Sequence, residues 1–104
     1  MPAINELIIL GVLRRGPQHG YGIRRALGAD LQMDAGVLYP WLLNLERRKL
    51  IRGSWITAVG NHQRHVYTMT AKGARYFEKI FHNWNAVCRG LDYLVKNKSF
   101  ASRA

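Results

Sequence analysis

The sequence is poor in the residues on which disulfide-bonded, zinc-dependent and membrane-spanning proteins rely. Its 104 residues include a single cysteine, Cys88. One cysteine excludes an intramolecular disulfide and any cysteine-based zinc site, and it agrees with a reducing compartment. The apolar run at residues 7–13 is too short to span a bilayer. These absences predict one cytoplasmic domain without a membrane partner.

Acidic residues are scarce as well, with six Asp and Glu against 16 Lys and Arg, so the net charge is +10. The basic residues are spread from Arg14 to Arg103, and the folded surface itself must therefore be positive. Such a surface favours a polyanion, most simply nucleic acid, with an anionic membrane or an acidic protein as weaker candidates. The acids lie far apart and no Ser/His/Asp or Cys/His arrangement is evident, so no enzyme, metal site or cofactor is expected.

The segment at residues 36–50 has the clearest helical pattern. Leu38, Leu42 and Leu45 follow the i, i+4, i+7 spacing that places side chains on one helix face. That face is predicted to be core. The opposite face has few charged residues that could form salt bridges, and it is therefore free to contact a partner. This face carries Gly36, Val37, Pro40, Asn44 and Arg47.

Two residues bear on how this helix begins. The Asp34 carboxylate is a candidate N-cap, since it can accept a hydrogen bond from an unpaired N–H of the first turn. Pro40 has no N–H and removes one bond to the Gly36 carbonyl. We therefore expect one helix with a local irregularity.

Two further helices are predicted before this segment. Residues 4–15 are apolar on almost every side, which indicates a helix that is buried on more than one face. Residues 18–28 predict a short helix closed by Gly28, with Arg24 and Arg25 pointing away from a small apolar face.

Two residues near the start of the short helix could have functional roles. No other His or acid supports His19 as a ligand or catalyst, so a cap or loop contact is expected. Tyr21 is either a core aromatic with a solvated hydroxyl or a hydrogen-bond donor to phosphate, and the following double arginine favours the donor role.

A β-hairpin is predicted after residue 50. Residues 51–59 and 64–69 alternate with period two, and residues 60–63 form the turn between them. The side chains near the tip suit a phosphate backbone or a minor groove. They are His62, Gln63 and Arg64.

The last predicted helix is the longest, covering residues 71–98 with Thr70 as its N-cap. Its apolar residues alternate steps of four and three, the a/d pattern of a helix seam. At 1.5 Å per residue this helix is about 40 Å long, more than one small domain covers, so a second copy of the chain is the expected partner. The seam consists of Phe77, Phe81, Trp84, Cys88, Leu91 and Val95.

This order of elements is that of a winged helix-turn-helix. The predicted fold is mainly α with a small β-hairpin (α+β) and a long C-terminal dimerisation helix. Residues 1–70 are expected to form the winged DNA-binding domain, 71–98 the dimerisation helix and 99–104 a loose tail. The helix at 36–50 is then the recognition helix.

Three motifs occur in a fixed order: GPQHGY at residues 16–21, GVLYP at 36–40 with LE at 45–46, and RHVY at 64–67 with Thr70 and Gly73. Through them the chain resembles the PadR family of transcriptional regulators from about residue 4 to residue 73. The resemblance implies a dimeric winged-helix repressor of a palindromic operator in double-stranded DNA. It places residues 35–49 in the major groove with the hairpin tip beside it.

The resemblance also implies roles for individual residues. The family's motif tyrosines correspond to Tyr21 and Tyr39, and its wing arginine corresponds to Arg64. The chain departs from the family pattern at Gly22, Asp34, Ala35 and Val37, so the resemblance predicts no operator sequence. Together with the residue patterns, this gives the expected DNA-binding residues: Tyr21, Arg24, Arg25, Val37, Tyr39, Asn44, His62, Gln63 and Arg64.

The short chain is similar to a small PadR subgroup whose multidrug-binding members hold flat aromatic compounds between paired tryptophans at the dimer interface. Trp84 falls where that tryptophan is expected, and an indole face binds planar π-systems without specific hydrogen bonds. The candidate ligand-binding residues are Leu7, Leu10, Phe77, Ile80, Phe81, Trp84 and Cys88. Two alternatives stay open: Trp84 fills a dry dimer core, or the protein is a sequence-tolerant architectural DNA-binding protein without an effector.

Overall fold

The computed structural model describes residues 4–57 and 59–97, in which four α-helices and three strands follow one another. The predicted class is confirmed: the structure is mostly helical with a small antiparallel sheet and a long last helix. The elements are α1 (Ile4–Leu13), β1 (Gln18–His19), α2 (Gly20–Ala26), α3 (Ala35–Arg47), β2 (Ile51–Thr57), β3 (Gln63–Met69) and α4 (Ala71–Lys96), with 3₁₀ turns at Ala29–Leu31 and Val59–Asn61.

The leucine stripe of α3 lies in the centre of the core. Leu38, Leu42 and Leu45 are 0%, 1% and 0% exposed, which confirms the buried face that their spacing predicts. Ile9 and Leu10 of α1 are fully buried in the same cluster. Because each fully buried aliphatic side chain contributes about 1.5–3 kcal/mol, this packing fixes which face of α3 points outwards.

The segment at residues 18–28 contains less helix than the sequence predicts. Gln18 and His19 form β1, which pairs antiparallel with β3, and α2 ends at Ala26 rather than at Gly28. A strand of two residues shows no periodicity, so only its pairing with a distant strand reveals it. β1 is the edge of a sheet with the order β1-β3-β2.

The start of α3 differs in two details from the prediction. Asp34 is the N-cap residue, but its carboxylate caps no N–H; its backbone carbonyl accepts hydrogen bonds from the N–H groups of Val37 and Leu38 instead, at 3.0 and 2.8 Å. The helix is also continuous through Pro40, so the expected irregularity is absent from α3. Buried Leu38 and Leu42 hold the helix on both sides of the missing bond.

β2 and β3 form the predicted hairpin, but the first strand ends and the second begins earlier in the chain than predicted. β2 ends at Thr57, and β3 already begins at Gln63. Gln63 and Arg64 are therefore strand residues, paired with Thr57 and Ile56, and of the three predicted tip residues His62 alone lies outside the strands.

α4 begins as predicted, since Thr70 Oγ1 accepts a hydrogen bond from the Gly73 N–H at 3.0 Å. Phe77 and Ile80 in its first turns are buried in the core. From Phe81 onwards the described part of the helix has exposed side chains except for the partly buried Trp84. α4 ends at Lys96, and the predicted tail lies outside the described residues.

Candidate nucleic-acid interface

The outer face of α3 is exposed and carries few charges, as its sequence predicts. Val37 is 40% exposed, and Gly36, Pro40 and Asn44 are exposed along the same face, which reaches Arg47 at the last helical position. An exposed helix with small, apolar and amide side chains fits into a major groove without a cost for desolvating charges.

α2 places aromatic and basic side chains beside this face. Tyr21 is 59% exposed, so the core role considered for it is excluded. The Arg25 guanidinium lies 5.8 Å from the centroid of the Tyr21 ring, a distance suited to a cation–π contact. Arg24 is exposed, and its Nε donates a hydrogen bond to the Met33 carbonyl at 3.3 Å.

The side chain of Tyr39 on α3 packs against Gly20 at the start of α2. A Cβ atom on Gly20 would lie 2.6 Å from the Tyr39 hydroxyl oxygen, so the close approach of this ring requires glycine at position 20. Tyr39 is nevertheless 47% exposed. Its hydroxyl marks the point where the two helices of the helix-turn-helix meet.

Sequence reasoning missed an aromatic column on the hairpin. The ring of Trp55 stacks on that of His65 with 4.6 Å between centroids, and His65 and Tyr67 follow at 4.5 Å. Trp55 and His65 are a cross-strand pair, so the register of the hairpin brings these rings together; alternation alone suggested only that Trp55 and Tyr67 were strand residues. The column borders an open cavity of about 430 Å³, lined by His19, Gly20, Tyr21, Tyr39, Trp55, Arg64, His65 and Tyr67.

His19 faces hydrogen-bond donors on both of its ring nitrogens. Its Nδ1 accepts from the Gly22 N–H at 3.0 Å, which confirms the predicted capping role. Its Nε2 lies 2.9 Å from Nη1 of Arg64. A neutral imidazole has only one acceptor nitrogen and arginine has only donors, so both hydrogen bonds cannot form together. Arg64 is thus held weakly and can be drawn to an anion.

The phenol of Tyr67 makes the stability of the folded chain depend on pH in the alkaline range. Burial raises the pKa of Tyr67, and the nearby Glu46 and Tyr39 raise it further. The folded state therefore holds the phenol proton more tightly than the unfolded state, whose pKa is about 10. This contribution to stability is complete below pH of about 10 and is lost as the pH rises through the raised pKa.

We expect the free energy of unfolding to fall above pH of about 10, and to fall less in Tyr67→Phe. Urea denaturation followed by circular dichroism across this range measures the difference. Identical pH dependence in the variant and the wild type would contradict the assignment. Tyr76, whose pKa is also raised by burial and by its hydrogen bond to Glu6, is expected to contribute to the pH dependence that remains in Tyr67→Phe.

His62 and Gln63 are exposed at the end of the hairpin.

The described residues were also searched for a metal site and for a membrane-spanning helix. Within residues 4–57 and 59–97, no three His, Cys, Asp or Glu side chains are grouped so as to hold a metal ion. No helix in the same part of the chain has the length and hydrophobicity to cross a membrane.

A separate apolar groove of about 470 Å³ runs between α1 and α4. Five of the seven predicted ligand-binding residues line it: Leu7, Phe77, Phe81, Trp84 and Cys88. Leu10 and Ile80 do not line it, because both point into the core and are 0% and 4% exposed. The groove has further apolar walls that the sequence did not indicate, formed by Ile4, Ile8, Val12, Leu27 and Leu31.

Trp84 lines this groove with the polar atom of its indole ring left unpaired. Its Nε1 is buried and has no hydrogen-bond partner among the described residues. Phe77 and Phe81 stack beside it with 5.4 Å between their centroids. Further along α4, the seam residues Leu91 and Val95 are 54% and 81% exposed.

The comparisons with known proteins agree with this architecture. The model of the "Transcriptional regulator PadR-like family" matches residues 9–79, more than half of the chain. A PadR family transcriptional regulator from Eggerthella lenta DSM 2243 is 29% identical, with a TM-score of 0.75 over 88% of this chain and 81% of its own. A PadR-like transcriptional regulator from Bacillus cereus strain ATCC 14579 is 25% identical, with a TM-score of 0.81 over 90% and 93% of the two chains. No curated protein sequence matches this chain.

The winged-helix architecture, the exposed face of α3 and the family match therefore lead to one conclusion. This chain belongs to the PadR-like family of transcriptional regulators, which are DNA-binding regulators and not enzymes.

Proposed function

We propose that the protein is a homodimeric, ligand-responsive repressor that binds a palindromic operator. The observation that carries the proposal is the uncovered apolar surface of α4, which continues directly from the groove around Trp84. Its exposed fractions are large for aliphatic side chains: 43% for Val87, 54% for Leu91, 61% for Leu94 and 81% for Val95.

A second copy of the chain is the partner that this surface fits best. The apolar residues follow the spacing of a helix seam, so two copies of α4 bury the same residues against each other. An apolar surface of this length is rare on a monomer in water. The exposed side chains on the far side of the helix include Arg89 and Lys79, which keep that side solvated.

Two copies also explain why a palindrome is expected. A two-fold axis presents both α3 helices to successive major grooves, so the half-sites are related by the same symmetry. Val37, Tyr39 and Asn44 are the proposed base-reading positions on α3, while Tyr21, Arg24 and Arg25 of α2 contact phosphates. His62 and Gln63 are proposed to follow the backbone beside the groove.

The pair of Arg64 and His19 is proposed to hold a DNA phosphate. With Nδ1 used in capping α2, neutral His19 carries its proton on Nε2, and this N–H faces the donors of Arg64 at 2.9 Å. A phosphate oxygen between the two side chains would accept from both. DNA thus relieves a contact between two donors, which adds to its attraction for the positive surface.

The groove lined by Trp84 is the proposed effector site. Its volume of about 470 Å³ suits a flat aromatic molecule, and the indole and phenyl rings offer stacking surfaces. The angle between the two α4 helices sets the distance between the two α3 helices. A ligand changes operator affinity only if it binds the DNA-free arrangement more tightly than the DNA-bound one.

The test combines fluorescence and operator binding. Intrinsic tryptophan fluorescence is titrated with a panel of planar aromatic dyes, and the same compounds are added to the protein on an operator selected from random duplexes. We expect quenching at micromolar concentrations together with release of the operator. Trp84→Leu is expected to weaken dye binding about tenfold or more, because the stacking surface is lost.

Trp55→Leu is the matched control, since Trp55 lies on the hairpin, away from the groove. It is expected to keep the affinity for the dyes. No quenching by any compound, with a Trp84→Leu dimer that dissociates more easily, would identify Trp84 as dimer core. Equal affinity for operator and random duplex would favour the architectural alternative.

A further inference from the structure

Glu6 of α1 is the one charged residue that is buried within the described part of the chain, with 3% exposure. Buried charges persist only when they are paired and hydrogen-bonded, because their removal from water is costly. Replacing a buried ion pair by well-packed apolar residues is often neutral or stabilising. Stability alone therefore does not account for a carboxylate at this position.

Each carboxylate oxygen of Glu6 accepts a hydrogen bond from a different element. Arg48 Nη1 donates to Oε2 at 2.8 Å, and the Tyr76 hydroxyl donates to Oε1 at 2.5 Å. The Arg48 guanidinium also lies 5.2 Å from the centroid of the Tyr76 ring. Side chains of α1 and α4 thus fix this guanidinium at the C-terminal end of α3.

The fixed guanidinium in turn orients Asn44. The same Arg48 Nη1 donates a hydrogen bond to Oδ1 of Asn44 at 2.9 Å. Since arginine has only donors, the oxygen of the Asn44 amide must face Arg48, and Nδ2 is left for other partners. Asn44 is exposed on the face of α3 that is proposed to read bases.

This orientation changes which base suits Asn44. An asparagine with both ends of its amide free binds adenine, because it accepts from N6 and donates to N7. With Oδ1 turned to Arg48, Asn44 offers donors instead. In the major groove guanine presents the acceptors O6 and N7, and thymine presents O4. Adenine presents its acceptor N7 beside the N6 donor, which would find no acceptor on Asn44, and cytosine presents only a donor.

We infer that Glu6 and Arg48 set the base preference of Asn44, which favours guanine or thymine over adenine and cytosine in the operator half-site. The inference rests on the proposed function, since it takes α3 as the recognition helix. Glu6 and Arg48 act here as positioning residues, because neither needs to touch DNA.

The experiment measures base preference rather than overall affinity. Operators are selected with the full-length wild-type protein, and the four bases are then compared at the position whose preference Asn44→Ala removes. The test variant Glu6→Leu/Arg48→Met removes both charges together, so that no buried ion is left unpaired. We expect guanine or thymine to be preferred by the wild type, and a shift of about tenfold towards adenine in the double variant.

A purely structural role would lower affinity for every operator equally and leave the preferences unchanged. The matched control is Glu78→Gln, which breaks an exposed ion pair between Glu78 of α4 and Arg14, the residue that follows α1. This control is expected to keep the wild-type preferences. Asn44→Ala alters only an exposed side chain, so this part of the test does not depend on the folding of the double variant.

The outcomes separate the two proposals. Adenine preferred by the wild type, no change of preference in Asn44→Ala, or unchanged preferences in the double variant would overturn the inference alone. If the wild type enriches no sequence from random duplexes, the proposed function fails and the inference fails with it.

Discussion

Leu91→Asp is expected to turn the protein into a monomer and to abolish tight operator binding. Leu91 lies in the middle of the uncovered seam of α4 and is 54% exposed in the single chain. In the proposed dimer the two-fold axis brings two carboxylates into one apolar interface, where each loses its hydration without gaining a partner. We expect the dimer dissociation constant to rise about a hundredfold or more, which corresponds to roughly 3 kcal/mol.

Sedimentation velocity over a range of protein concentrations measures the change in dimer stability. The operator is then tested as full palindrome and as isolated half-site. A monomeric variant is expected to bind both equally weakly, because the second half-site no longer adds to the affinity. Circular dichroism should remain close to that of the wild type, since Leu91 is exposed in the single chain.

Tyr93→Asp is the matched control, because it adds the same charge two residues away. Tyr93 is 67% exposed, and the helical period places it on the side of α4 that faces away from Leu91 and Val95. This variant is expected to remain dimeric and to bind the palindrome. A dimeric Leu91→Asp, or equal dissociation of both variants, would argue against the seam as the interface.

Operator affinity is expected to fall about a thousandfold between roughly 50 and 200 mM salt. Arg24, Arg25 and Arg64 are exposed on the proposed DNA side, and in a dimer they offer about six contacts to phosphates. Each contact releases counterions, and about six of them give a slope near −5 in a plot of log affinity against log salt concentration. Fluorescence anisotropy at several salt concentrations measures this slope.

Arg64→Gln is expected to reduce that slope by about 2, one unit for each subunit. The loss should be similar for operators of different sequence, because phosphate contacts carry no base information. Arg89→Gln on α4 removes the same charge away from the proposed interface and is expected to keep the wild-type slope. An unchanged slope in Arg64→Gln would remove Arg64 from the set of phosphate contacts.

The elements that sequence reasoning predicted well are those with local periodicity. The buried face of α3 follows from Leu38, Leu42 and Leu45 alone, since a helix of 3.6 residues per turn leaves no other way to align them. The cap at Thr70 and the alternation of the two hairpin strands are equally local. The family resemblance rests on short motifs inside these elements, and the family match confirms it.

Apart from the side-chain cap at Asp34 and the irregularity at Pro40, the predictions that failed concern contacts between distant residues. β1 exists only because β3 pairs with it, and the same pairing brings Arg64 beside His19. The sequence analysis predicted that Leu10 and Ile80 bind a ligand together with Leu7 and Phe81. Which of them face the groove depends on how α1 and α4 cross, and spacing within one helix does not determine that angle.

Two further features also depend on contacts between distant residues. They are the aromatic column of Trp55, His65 and Tyr67 and the hydrogen-bond network of Glu6, Arg48 and Tyr76. The column and the network each join residues from different strands or helices, so no local sequence pattern predicts them. Periodicity along the chain was enough to predict the long helices, the hairpin and the buried face of α3, because those depend on near neighbours. The orientation of Asn44 and the shape of the groove arise only when remote side chains meet, since hydrogen bonds and packing across elements act over a few ångströms in space and not along the sequence.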